Sequence, residues 1–405
     1  MADAIPIQSH FRDRDSKMAM ATDSALQERM VGWRRWLHQH PEAGFAESKT
    51  SAFIAETLRS LGLQTHESIG GTGVVATIEG EQPGIEIALR ADMDALPIQE
   101  ENTFAHRSRH DGWMHACGHD GHITMLLGAA SSLAADRRFA GKVHLIFQPA
   151  EEIGTGAKAM MNAGLFDKFR AECVYGLHNW PGLEAGRFVV HHGAAMAGAR
   201  PFEIVVSGCG CHAAIPHQGA DPLLAAAHLV TALQSIVSRN IDPADALVLS
   251  VTQFHAGHTH NIIPDTARLT GTLRYFRPAA GEIASRRMIK LVEQLAAGMG
   301  VRASLEFFEF GSPPVINNTL HAEHCVVAAS AVAGRENVGT TVAPSMTGED
   351  FAFMLERKPG AYIWIGNGSA ERGCSLHNPN YDFNDEIMPM GVAYWVALVR
   401  HRLKV

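Results

Sequence analysis

Several features are scarce in this chain. No stretch approaches the ~20 consecutive apolar residues that a membrane-spanning helix needs, which excludes a helical membrane protein. The first stretch, Met1 to Asp23, mixes Asp, Arg, Lys and Ser without the apolar core of a secretion signal, and reads as a loose tail. No run of Lys and Arg is present and the formal net charge is −8. The chain therefore offers no basic face to a phosphate backbone, and nucleic acid is excluded as a partner. Six cysteines (Cys117, Cys173, Cys209, Cys211, Cys325 and Cys374) include no Cys-x-x-Cys pair and are too few over 405 residues for a disulfide framework. A reducing cytoplasm is the expected compartment.

What is present describes an ordinary globular protein: 46% hydrophobic residues against 19% charged supply ample core material. A length of 405 residues exceeds what one small core serves, so two or three domains are expected. The 23 histidines favour metal chemistry only where they fall on matching elements. The densest chemistry lies in Met114-His115-Ala116-Cys117-Gly118-His119-Asp120. Cysteine and histidine at this spacing offer a soft and a borderline donor to one divalent ion, and the intervening glycine lets the backbone turn both inward. In isolation the stretch serves equally as a buried thiol and a satisfied interior histidine, so acids and histidines elsewhere must decide.

From Ser24 the pattern is helical, with Leu26, Met30, Trp33 and Leu37 at three- and four-residue spacing until His40-Pro41-Glu42 stops it. A second helix is expected from Ser48 to Leu61. His38 and Glu47 read as structural, since nothing near them in sequence complements them. Short β-branched runs follow at Gly73–Ile78, Ile85–Leu89, Lys142–Phe147 and Cys173–Leu177, with a helix over Gly121–Ala135 between the pairs. Strands separated by helices imply an α/β fold with a mostly parallel, helix-flanked sheet, whose chemistry gathers at the strands' carboxyl ends.

That rule selects the polar residues. The strand ending at Leu89 runs into Arg90-Ala91-Asp92-Met93-Asp94, the one ending at Phe147 into Gln148-Pro149-Ala150-Glu151-Glu152, and the one ending at Leu177 into His178-Asn179. The Cys117/His119 stretch precedes a helix and reaches the same edge. Acids and histidines converging there favour a metal site. Neighbouring glutamates on a turning backbone point apart, so Glu152 is assigned to metal and Glu151 to a general base. After a later strand at Ala361–Ile365, His377 sits on a loop held by Asn378 and Pro379, well placed as a last ligand.

Between these parts the order changes: strand Phe202–Ser207, helix Pro222–Ser238, strands Ala246–Phe254 and Thr266–Tyr275, helix Gly281–Ala297 and strand Arg302–Phe308. This β-α-β-β-α-β succession is that of a ferredoxin-like module. Its ends lie in Gly- and Pro-containing stretches, as those of inserted domains often do. The expected division is a tail over 1–23, a first domain over 24–195 and 311–405, and an inserted α+β domain over 196–310.

The stretches Leu89-Arg-Ala-Asp-Met-Asp-Ala-Leu-Pro97, Met114-His-Ala-Cys-Gly-His-Asp-Gly-His122, Phe147-Gln-Pro-Ala-Glu-Glu152, Gly176-Leu-His-Asn179, His212-Ala-Ala-Ile-Pro-His217, Asn261-Ile-Ile-Pro264 and Ser375-Leu-His-Asn-Pro379 together carry a resemblance. They closely resemble the dimetal aminoacylase family of hippurate hydrolases, N-acyl-amino-acid amidohydrolases and plant auxin-conjugate hydrolases, relatives of carboxypeptidase G and succinyl-diaminopimelate desuccinylase. The resemblance implies two divalent metal ions per subunit on Cys117, His119, Glu152, His178 and His377. Zinc or manganese is expected first, with cobalt or nickel open to the same donors. It implies that Glu151 is the base, and that Asp92 and Asp94 support the metals from behind more than they ligate them. His212, Asn261 and Arg274 match residues that bind the substrate's carboxylate and scissile carbonyl. The inserted domain is then a lid and dimerisation domain, with His212 commonly contributed by the partner subunit of a homodimer or higher homo-oligomer.

One departure stands out: Gly208-Cys209-Gly210-Cys211-His212 replaces the family's usual Gly-Gly-His, adding a side chain beside His212. The expected activity is hydrolysis of the amide bond of N-acyl amino acids, small-molecule substrates of hippurate-like, N-acetyl or indoleacetyl type. Two alternatives remain at this point. One is a metallo-dipeptidase or carboxypeptidase on the same scaffold, and the other a non-catalytic, metal-stabilised binding protein. A closed structural metal site needs no spare base, whereas Glu151 beside Glu152 supplies one.

Overall fold

The structure is a computed structural model and describes residues 24–371 and 374–405; the expected tail, 1–23, lies outside the described residues. Two helices come first, α1 (Ser24–Gln39) and α2 (Ser48–Ser60), the former burying Leu26, Met30, Arg34, Leu37 and His38 along one face. Strands β1 (Thr65–Ile69), β2 (Gly73–Glu79) and β3 (Gln82–Asp92) follow, then α3 (His119–Ala135) and β4 (Ala140–Gln148). Helices α4 (Gly156–Asn162) and α5 (Leu165–Lys168) lead to β5 (Cys173–Pro181), β6 (Phe188–Val190) and β7 (Ala194–Met196).

Helix α3 is buried almost all round, because it is packed between α1 and the C-terminal helix as well as against the sheet. That position explains why its sequence is apolar without a clear polar face. Strand β3 is buried along its second half, as an interior strand covered on both faces requires.

A second unit follows, comprising β8 (Gly198–Ser207), β9 (Cys211–His212), α6 (Pro222–Asn240), β10 (Leu247–Ala256), β11 (Ile262–Ile263), β12 (Thr266–Tyr275), α7 (Pro278–Gly298) and β13 (Arg302–Phe307). Its four-stranded sheet has the order β10-β12-β8-β13 and is antiparallel throughout. Strand β8 alternates buried and half-buried residues, so one face packs on the helices. The unit has its own apolar core, from Phe202 and Ile204 to Leu229, Leu269 and Met288. The β-α-β-β-α-β order read from the sequence is present, with the short β9/β11 pair added.

The chain then returns to the first sheet through β14 (Val315–Ile316), α8 (Thr319–Ala333), β15 (Val338–Gly339), α9 (Phe351–Arg357), β16 (Gly360–Gly368) and α10 (Met388–Arg402). The eight-stranded sheet runs β1-β2-β4-β3-β5-β16-β6-β15. It is parallel through its centre, β4-β3-β5-β16, and turns antiparallel on either side where β2 meets β4 and β6 meets β16. The parallel expectation thus holds for the block that carries the chemistry. Register sets Asp92 of β3 opposite Gln148 of β4, so the loop bearing Asp94 and the loop bearing Glu151 and Glu152 leave the sheet side by side. Strand β5 delivers His178 to the same edge, opposite Trp364 of β16.

Candidate active site

At that edge the donors predicted from sequence meet. Cys117 Sγ lies 3.4 Å from His178 Nε2. His119 Nε2 lies 3.7 Å from Glu152 Oε1, and His377 Nε2 lies 3.4 Å from Glu152 Oε2. Donor atoms of Cys117, His119 and Glu152 all fall within 4.8 Å of one another, and so do those of Asp92, His119, His122 and His178. His119 belongs to both groups. Gly118, between the two ligand candidates of the central motif, has φ +89°, and a Cβ there would come within 2.2 Å of Asn179 Nδ2 and 2.4 Å of the Tyr381 hydroxyl. Only glycine allows Cys117 and His119 to face one point. His377 also adopts a positive φ, +60°, and its side chain is 53% exposed, which makes it the ligand candidate that opens to solvent.

The imidazoles are oriented from behind. His119 Nδ1 donates to the Asp94 carbonyl at 2.9 Å and faces Asp94 Oδ1 at 3.2 Å, which turns Nε2 toward the site. His178 Nδ1 donates to the Asn179 carbonyl at 2.6 Å and leaves Nε2 free to ligate. His122 is engaged at both ends: its Nε2 accepts the Asn179 N–H at 3.0 Å, and its Nδ1 donates to Asp92 Oδ1 at 2.6 Å. It therefore holds Asp92, whose other oxygen accepts from Arg90 at 2.7 Å. Two buried atoms, His119 Nε2 and Glu152 Oε1, have no hydrogen-bond partner among the described residues. Buried polar atoms are rarely left so. An unpartnered imidazole nitrogen and carboxylate oxygen beside a thiol form a donor set that fits a divalent cation.

A second group of carboxylates backs the first. Oxygens of Glu151, Glu349 and Asp350 lie within 4.8 Å of one another. Arg90 donates to Glu349 at 2.9 Å and to Asp350 at 3.2 Å, Tyr362 donates its hydroxyl to Glu349, and the Asp350 N–H donates to Glu151 Oε1 at 3.3 Å. Burial, and then the negative charges of Glu349, Glu152, Asp350 and Asp94, hold the Glu151 carboxyl well above the usual range. Burial together with Glu152 and Glu151 pushes the Cys117 thiol up. Burial lowers the His119 imidazole, but Asp92, Asp94 and Glu152 outweigh it and raise it to about 10. His178 is driven well below its usual value by burial and by His122, which favours the neutral, ligating form.

These groups open on a cavity of about 1170 Å³. Cys117, Glu151, Glu152, His178 and His377 line one wall, and Arg274 of β12 reaches it from the second unit among apolar residues such as Trp180, Met196 and Phe310. Arg274 donates to Thr272 Oγ1 at 3.0 Å and pairs with no carboxylate among the described residues; burial alone lowers its pKa. His212 and Asn261 lie elsewhere. They line a separate cavity of about 960 Å³ with His255, His258 and Arg268, where His212 Nδ1 accepts the Ala214 N–H at 3.1 Å. The structure thus gathers Asp92, Asp94, Cys117, Glu151, Glu152, His119, His178, Arg274 and His377 in one place and leaves His212 and Asn261 outside it.

A thiol, imidazoles and a carboxylate around one point, with a further carboxylate beside them at the carboxyl edge of a parallel sheet, define a metal-dependent hydrolase. Residues 88–401 match Peptidase family M20/M25/M40, and the chain belongs to that family. It is 38% identical over 371 residues to the hippurate hydrolase of Campylobacter jejuni, covering 92% of this chain and 96% of that one. It is 41% identical over 381 residues to the N-acetyl-L-cysteine deacetylase of Bacillus subtilis, covering 94% and 89%. Among solved structures it superposes with a TM-score of 0.82 and 34% identity on a dinuclear metal binding peptidase of the M20 family from Bacillus subtilis, covering 94% of this chain and 99% of the other.

Proposed function

We propose that this protein hydrolyses the amide bond of N-acyl amino acids, releasing a carboxylic acid and a free amino acid. The observation that carries the reading is a cavity lined by Glu151, by ligand candidates and by an arginine that pairs with no carboxylate among the described residues. Cys117, His119, Glu152, His178 and His377 would hold two divalent cations, zinc or manganese first. Bound there, the cations supply Lewis acidity, polarising the amide carbonyl and easing deprotonation of water.

The chain's own residues do the rest. Glu151 accepts the proton of the attacking water and hands it to the departing nitrogen. It sits in the cavity beside the ligand candidates Cys117 and Glu152, its Oε1 accepting the Asp350 N–H at 3.3 Å. Arg274, with no acid partner among the described residues, receives the amino acid's carboxylate. The apolar wall around Trp180, Met196 and Phe310 takes the acyl group. His212 steadies the oxyanion and Asn261 assists Arg274. Their place in another cavity of the same chain supports a homodimer or higher homo-oligomer in which one subunit's 198–307 unit completes the partner's site. Cys117 as a ligand and five further free cysteines suit a reducing cytoplasm.

The test is a panel of hippurate, N-acetyl and indoleacetyl amino acids and free dipeptides, each assayed with zinc, manganese or cobalt. N-acyl amino acids are expected to turn over faster than dipeptides, and Glu151→Gln to lose about 10²–10⁴-fold in kcat while keeping its metal. Faster dipeptide turnover would make the protein a peptidase, and full activity in Glu151→Gln would remove the base from this scheme.

A further inference from the structure

We propose that Glu47 is a positioning residue for the reaction: it tethers the backbone of Ala150 and so aims the Glu151 and Glu152 carboxylates that follow. The proposal rests on the roles given to those two residues above. Ala150 is held at φ +54°, a left-handed conformation that a residue with a Cβ rarely adopts, directly before the base. Such a residue stays there only when its surroundings impose it. Glu47 lies just before α2, wholly buried and far from Ala150 in sequence, yet its Oε1 accepts the Ala150 N–H at 2.9 Å. Its other oxygen accepts from the Thr72 hydroxyl, which fixes the side chain. On the other side, the Ala150 carbonyl accepts from the amides of Thr155 at 3.3 Å and Gly156 at 3.1 Å. Residue 150 is pinned at both ends.

The turn that carries Glu47 is fitted to this task. Gly44 lies flat against Ala150, where a Cβ at position 44 would come within 3.0 Å of the Ala150 Cα and Cβ. Two residues earlier, the Glu42 carbonyl accepts the Ala95 N–H at 2.9 Å. The neighbouring Asp94 in turn accepts the Glu152 N–H at 2.9 Å. One turn therefore grips both acidic loops of the site. A fully buried carboxylate is costly to place in a core, and this one spends one oxygen on the strained Ala150 amide and the other on the Thr72 hydroxyl that holds it there.

The experiment compares Glu47→Ala, Glu47→Asp, Glu47→Gln, Glu47→Ala/Ala150→Gly and Glu151→Gln. Each is assayed on hippurate and an N-acetyl amino acid at saturating zinc, with zinc content after dialysis and melting midpoint measured alongside. Glu47→Ala and the shorter Glu47→Asp are expected to lose roughly 10- to 100-fold in kcat with KM within about twofold, the scale set by a displaced catalytic group, and to retain less zinc. Glu47→Gln, whose side-chain carbonyl still accepts the Ala150 amide, is expected to stay within about threefold of the parent. Glycine at 150 takes the positive φ freely and should restore part of the kcat lost in Glu47→Ala. If Glu47→Ala does not fold, the Asp and Gln variants make the same comparison. Folded Ala or Asp variants with the parent's kcat and zinc content, or a Gln variant impaired as far as Ala, would overturn the proposal. An inactive Glu151→Gln beside unimpaired Glu47 variants sinks this inference alone, whereas an active Glu151→Gln sinks the base assignment beneath it.

Discussion

His38 gives the most quantitative prediction. Its Nδ1 lies 2.8 Å from Asp120 Oδ2 and its Nε2 3.2 Å from Glu100 Oε1, with Arg34, His106 and His115 as the other titratable groups around it. Burial alone would lower its pKa, but Asp120 and Glu100 dominate and raise it from 6.5 to about 9. A raised folded-state value stabilises the protein fully below pH 6.5, and the stabilisation is lost as pH rises through 9. The interval corresponds to about 3 kcal/mol, at roughly 1.36 kcal/mol for each tenfold step in acidity. With roughly 0.8 kcal/mol per kelvin of unfolding entropy for a chain of this size, that is about 4 °C in melting midpoint. The assay is thermal unfolding of zinc-saturated parent and His38→Gln at pH 6 and pH 9.5. The midpoint gap between the two proteins should shrink by about 4 °C at the higher pH, while contributions from groups common to both cancel. A gap that stays the same would refute the charged His38–Asp120 pair.

Removing the metal by exhaustive chelation is expected to abolish hydrolysis, and returning zinc, manganese or cobalt to restore it, as followed by turnover of hippurate. Replacing Arg274 by Ala should lower kcat/KM by roughly 10- to 100-fold, mainly through KM, the value of one charge-assisted carboxylate contact of about 1.5–3 kcal/mol. Initial-rate kinetics over a range of substrate concentrations separates the two parameters. Replacing Arg90 by Met strands Asp92, Glu349 and Asp350 as buried acids and should destabilise by about 3–5 kcal/mol, read as a lowered melting midpoint.

The sheet's carboxyl edge was legible in the sequence because each short apolar run, ending at Leu89, Phe147 or Leu177, is followed within a few residues by an acid or a histidine. Asp92, Glu151, Glu152 and His178 announce themselves in this way. His122 ends the Met114–His122 motif, but only the fold shows that Asn179 and Asp92 occupy its two nitrogens. Arg90, Glu349 and Asp350 form a buried ion cluster across 259 residues of chain, which no local pattern encodes. His38 and Glu47 have no complementary residue near them in sequence. Their partners, Asp120 and Ala150, lie 82 and 103 residues away and adjoin His119 and Glu151. Short pairs such as β9/β11 escape a reading based on periodicity because two residues define no period.

The tight space that Asn179 and Tyr381 leave at Gly118, behind the cavity wall, separates what an engineer can change in this site from what must stay. Any larger side chain at that pivot would push the thiol and imidazole donors apart before altering what the enzyme accepts. Met196 and Phe310 line the cavity and neither adjoins a ligand candidate in sequence, so selectivity among acyl chains is best redesigned from that side.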